Sequence, residues 1–193
     1  MKFLKKLVQK RKLCYNCPHR YPHKDNLCNL REEGRTKTMA GFGEVNSVDF
    51  AIYLQQAAIK RGLEVNMTKV QKWLYICYGF YLAIHNRQLL DEKPIALHFG
   101  PLFENVYKEQ KRNNDSLIGL EARIVGVDFS VYNRIIDATL KLFGDWSAGE
   151  LVYWTHKDGG AWQKQIKTQG KRTAMDNFEI LLDFKELFPD EEN

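Results

Sequence analysis

The feature that most constrains this chain is an uninterrupted apolar stripe, Val70, Trp73, Leu74, Cys77, Phe80, Tyr81 and Ile84, spaced at the three- and four-residue intervals of one broad helical face. A helix this apolar needs neighbours around most of its circumference, so it is expected at the centre of a helical domain. Its aromatic residues read as packing rather than as a cofactor box, and Cys77 within it reads as a small buried hydrophobe. Thr68 and Gln71 have the spacing of a capping box, which would open this helix at Thr68.

Other helices surround it. Ser47 is an N-cap candidate with Asp49 in the first turn; Val48, Ala51, Ile52, Leu54, Ala58 and Ile59 then form an amphipathic pattern, and Gly62 supplies a left-handed stop. Pro94 to Phe99 has strand-like content and ends at Gly100-Pro101, read as a rigid turn, after which Leu102, Val106 and Tyr107 suit a third helix. Asn113 to Ser116 is a loop. Ile118 to Val127 contains β-branched residues and predicts a second short strand. A fourth helix covers about Val131 to Phe143 and stops at Gly144; Ser147 and Glu150 form a second capping box ahead of Leu151, Val152 and Trp154. After Gly159-Gly160, a final helix covers about Asn177 to Phe188, with Pro189 behind it. The expected fold class is therefore mainly α: a compact helical domain with one or two short β-strands, preceded by a small zinc-stapled segment.

That segment stands out by charge and by cysteine content. Residues 1–40 hold eleven Lys and Arg against Asp25, Glu32 and Glu33, a net charge of +8, whereas the remainder carries −3. Cys14, Cys17, His19, His23 and Cys28 fall within one short window. A Cys-x-x-Cys turn presents both thiolates to one metal, and Cys14, Cys17, His23 and Cys28 would close a tetrahedral zinc site, with His19 the alternative to His23. Four protein ligands imply a structural zinc whose binding, worth on the order of 10–16 kcal/mol, offsets the entropy of ordering a segment with almost no core. Incidental thiols in a tail are the plainer alternative. The basic residues Lys5, Lys6, Lys10, Arg11, Lys12 and Arg20 are candidates for phosphate contacts with nucleic acid, against the equally ordinary reading of a solvated charge run. The division expected is a Cys/His segment at residues 1–30, a glycine-containing linker at 31–46 and the helical domain at 47–193.

Several function classes find no support in the residues. Lys5, Lys6, Lys10, Arg11 and Lys12 interrupt any signal-peptide core, and no stretch approaches the ~18 apolar residues of a membrane helix, so a cytoplasmic protein without membrane contact is expected. Phosphate-binding glycine loops, catalytic triads in recognisable order and helical His-x-x-x-His motifs are missing, so no enzyme is expected. His156, near Thr155 and Asp158, is the best enzymatic candidate, but a histidine at a helix end before two glycines is more often a hydrogen-bonded cap. Trp162 suits a core position and an interface anchor equally.

Three stretches resemble the Panacea domain family, which takes in SocA-like antitoxins and related phage-associated proteins. They are Thr68 to Tyr75, Pro94 to Tyr107 and Leu151 to Trp162, in the family's order, within a resemblance covering roughly residues 47–188. The Cys/His segment lies outside it, and Trp73 stands where the family usually has Leu. The resemblance implies a helix-rich antitoxin that neutralises a toxin, encoded next door, by direct protein binding, and it points to Lys72, Tyr75, Gly100, Pro101, Tyr107, His156 and Trp162 as partner-binding candidates. The rival reading is a zinc-containing nucleic-acid-binding regulator, phage or mobile-element associated, that uses the basic segment on DNA. Either is compatible with a homo-oligomer.

Overall fold

The structure, a computed structural model, describes residues 45–123 and 129–187. Cys14, Cys17, His19, His23 and Cys28, the basic residues from Lys5 to Arg20, the linker up to residue 44, and Phe188 lie outside the described residues. Those described form seven α-helices and one two-stranded antiparallel hairpin: α1 (Ser47–Lys60), α2 (Met67–His85), β1 (Ile95–Leu97), β2 (Gly100–Leu102), α3 (Glu104–Arg112), α4 (Phe129–Phe143), α5 (Ala148–Thr155), α6 (Ala161–Gln169) and α7 (Asn177–Lys185). The domain is mainly α.

The apolar stripe does become the axis of the fold. Helix α2 is buried from Lys69 to Leu82 and is packed by α1, α3, α4, α5, α7 and β2. Trp73 has no exposed surface and donates its indole N–H to the carbonyl of Phe143 at 3.1 Å, which places it in the core. Cys77 is equally buried, 3.3 Å from the Thr139 hydroxyl, and its thiol pKa is pushed up to about 12 by that burial. Phe80, Phe143, Trp154 and Phe184 meet edge-on or tilted at centroid distances of 5.1–6.4 Å, so α2, α4, α5 and α7 share one aromatic core. Burying each such ring stabilises by about 1.5–3 kcal/mol. Gly79 admits α7 to α2: a Cβ there would lie 2.2–2.4 Å from three carbons of the Phe184 ring.

Helix ends differ from expectation where polar side chains had two uses. Asn46, not Ser47, caps α1, accepting from the amides of Val48 and Asp49, while Ser47 is the first helical residue, its N–H bonded to Asp91. Asn66, not Thr68, caps α2 through the Lys69 amide, which frees Gln71 for a different task. The Ser147 and Glu150 box closes as expected, and α4 begins two residues ahead of Val131. Over residues 118–123 the chain turns at Gly119, φ +85°, and forms no strand; residues 124–127 lie outside those described. The second strand instead begins at Gly100-Pro101, with His98 and Phe99 as the two-residue turn and Ile95, Ala96 and Leu97 opposite Leu102, Pro101 and Gly100.

One helix was not foreseen. Helix α6 has Gly160 as its N-cap, with no side chain to signal a start, and the Asp183 carboxylate from α7 accepts the Ala161 amide at 2.7 Å instead. After α6 the chain returns along β1: Ala96 donates to the Thr173 carbonyl at 3.0 Å, and the Arg172 amide donates to the Ala96 carbonyl at 2.8 Å. The hairpin is thus flanked by residues 172–174 on its β1 edge.

Candidate functional site

The three motifs converge on Gly100. Its φ of +95° is one that side-chain-bearing residues rarely adopt, and a Cβ there would lie 2.8 Å from Lys72 Nζ, 2.9 Å from Thr155 Oγ1 and 3.0 Å from His156 Nε2. Lys72 comes from the first turns of α2, Gly100 from the start of β2, Thr155 from the last turn of α5, and His156 is the C-cap residue of α5. Trp162, in the first turn of α6, stacks on His156 with ring centroids 3.7 Å apart and planes 8° from parallel, and donates its indole N–H to the Leu97 carbonyl at 2.8 Å. Lys72 Nζ donates to the Pro101 carbonyl at 2.8 Å. Each strand of the hairpin is therefore held by a side chain from a helix on its own side.

The site is interior and short of negative charge. Lys72 is 3% exposed, and burial lowers its pKa from 10.5 to about 7. His156 is half-buried, and its Nε2 is shielded from solvent with no hydrogen-bond partner. Burial first, then the charges of Lys72 and His98, lower its pKa to about 4. At neutral pH the imidazole is therefore uncharged, while Lys72 is divided between its two forms.

Of the seven candidates drawn from the resemblance, Lys72, Gly100, Pro101, His156 and Trp162 gather here. Tyr75 is buried one turn further along α2, edge-on to Phe184, and it lines a narrow crevice with Trp154, Thr155, Lys157 and Asp183. Burial, and then Asp183 and Tyr78, hold its hydroxyl well above the usual phenol range. Tyr107 lies apart on α3, its ring facing the Lys111 ammonium at 5.7 Å. Lys72, Tyr75, Gly100 and Pro101 have their side chains or backbone in the interior, so what the surface presents is the hairpin they support.

Two residues essential to this geometry were read from sequence in other roles, Gln71 in a capping box and Thr155 only as a neighbour of His156. Gln71 is buried, accepts from the Phe103 amide at 2.9 Å, and donates to Gln110 at 3.0 Å, so it fastens the start of α3 to α2. Its spacing from Thr68 carried a signal, but for the wrong structure. Thr155 donates to the Val152 carbonyl at 2.9 Å within its own helix, which aims its oxygen at Gly100. Among the described residues, no group of three or more His, Cys, Asp or Glu side chains could hold a metal ion, and no helix is long and apolar enough to cross a membrane.

Residues 70–163 match the family model described as antitoxin SocA-like, Panacea domain. The match runs from α2 to the first turn of α6, narrower than the stretch expected from the motifs, and includes every side chain that meets at Gly100. No curated protein and no solved structure matches the chain.

Proposed function

We propose that this chain, with a SocA-like Panacea match across residues 70–163, is an antitoxin that neutralises a partner toxin by binding it directly. The observation that carries the reading is that match, which spans the whole hairpin anchor. The anchor's chemistry agrees with it. Lys72 and Trp162 bond to backbone carbonyls of the hairpin, as groups that hold a surface in shape do. On this reading the domain performs no reaction; support comes from Lys72 and His156 Nε2, which are closed off from solvent and so from any substrate.

The toxin is taken to be the product of an adjacent reading frame and the complex to form in the cytoplasm. Co-expression tests this. A neighbouring product that arrests growth alone, and is relieved by this chain, is the expected result; finding no toxic neighbour that the chain relieves would remove the antitoxin role.

The +8 charge of residues 1–40 favours a second activity that coexists with the first. In that reading a zinc ion held by Cys14, Cys17, His23 and Cys28 scaffolds a basic segment that grips DNA through Lys5, Lys6, Lys10, Arg11, Lys12 and Arg20. DNA affinity should then fall steeply with salt and vanish on removing residues 1–40. Protein purified without chelator should carry about one zinc per chain; stoichiometry near zero would end the zinc assignment.

A further inference from the structure

We infer that the partner toxin is engaged at the tip of the β1–β2 hairpin, through an acidic segment of the toxin that also buries an apolar side chain; this rests on the antitoxin reading. Phe99, at the turn, is 72% exposed, more than the other exposed large hydrophobic residues among those described. A single exposed apolar residue is ordinary on a protein surface. Phe99 differs because the turn that carries it is fixed on both sides. Lys72 holds Pro101, Trp162 holds Leu97, and residues 172–174 pair with β1. An aromatic side chain on so rigid a support loses little conformational freedom on binding, which is the condition for an interface anchor.

The charged residues in the two segments that carry and flank Phe99 have one sign. Ile95 bridges Ala174, and Ala96 both donates to the Thr173 carbonyl and accepts from the Arg172 amide, so Arg172 and Thr173 together stand opposite Ala96, with Lys171 the next residue along the chain in the direction of the hairpin turn. Lys171 and Arg172 are both exposed, and neither has an ion pair among the described residues. His98 is exposed and meets Phe99 edge-on at 5.0 Å. The two segments that build this end of the domain, residues 93–103 and 159–175, contain no Asp or Glu. Three of the acids that adjoin these segments in sequence are hydrogen-bonded or paired within their own elements: Asp158 accepts from Gln163, Asp176 caps α7, and Glu104 pairs with Lys108. Charge complementarity thus selects an acidic partner segment, and Phe99 supplies the apolar contact that discriminates it from a merely polyanionic one.

The test compares the full-length wild-type chain with Phe99→Ser and with Lys171→Glu/Arg172→Glu, each co-expressed with the adjacent toxic reading frame and then titrated against its purified product. All substituted side chains are exposed, so thermal melting should match wild type; Lys171→Arg/Arg172→Lys provides a charge-keeping control if the reversal lowers the melting point. Expected are wild-type relief of toxicity, at least about tenfold weaker binding for Phe99→Ser and for the charge reversal, near-wild-type binding for the control, and weakening as salt is raised. Wild-type relief matched by every variant would overturn the assignment of this face and leave the antitoxin reading standing. No relief by wild type would overturn both. If the reversal abolishes binding of a labelled single-stranded DNA oligonucleotide and leaves toxin binding intact, the face belongs to nucleic acid and the inference is overturned.

Discussion

Replacing Lys72 by Met should remove a pH dependence of stability that the wild type owes to one side chain. Burial lowers the Lys72 pKa from 10.5 to about 7, so between those values the unfolded chain binds more protons than the folded one. Stability therefore rises with pH across that window and is flat below it. At about 1.4 kcal/mol per pKa unit, the whole window is worth roughly 5 kcal/mol, and the part between pH 7 and 9 about 2 kcal/mol. Methionine has similar length, no charge and the flexibility to fill the same space. It loses the bond to the Pro101 carbonyl, at about 1–3 kcal/mol, but also the burden of burying an ammonium group, so at pH 7 the variant should be at least as stable as wild type. Urea unfolding of both proteins at several pH values reads the effect as a difference, in which the titrations of Cys77 and the buried tyrosines cancel. Parallel profiles between pH 7 and 9 would show that Lys72 keeps an ordinary pKa and that the burial argument is mistaken.

Three further outcomes follow from the same geometry. Gly100→Ala should destabilise by about 1–3 kcal/mol in urea unfolding, because a Cβ strains a backbone at φ +95° and presses on Lys72, Thr155 and His156; an unchanged midpoint would mean the anchor is loose. Gly79→Ala should destabilise by a similar 1–3 kcal/mol or more, since the Phe184 ring occupies the space a methyl group needs and α7 would have to withdraw. The imidazole of His156, followed by NMR, should stay neutral until about pH 4 and titrate at a higher pH in Lys72→Met, where one of the charges that depresses it is gone; titration near 6.5 in wild type would contradict its burial against Lys72.

Where local sequence and tertiary environment agree, the elements were legible. Helix α2 announced itself because an apolar stripe on nearly every turn has few other places to go, and the Ser147 box because cap and Glu150 depend only on each other. Helix α6 did not, because Gly160 offers no cap and the group that completes its first turn, Asp183, comes from a distant helix. Thr68 and Gln71 show the converse: the box spacing was present, but Asn66 competed for the cap and a buried Phe103 amide claimed the glutamine. Five of the motif residues lie together around Gly100, but the motifs did not say how that cluster is built. A lysine in a sequence is expected in water. Only the packing of α2 under the hairpin makes Lys72 an interior support, and the exposure of Phe99 at the turn of that hairpin was no more legible in the sequence.

Direct binding is the claim on which the rest depends, and size-exclusion chromatography of the purified chain mixed with the toxin it relieves measures it most plainly. The account predicts a stable complex of the two intact proteins, with the toxin inactive while bound and active again once separated. Relief of toxicity in cells without any complex of the purified proteins, or recovery of a toxin chemically altered by the encounter, would contradict it.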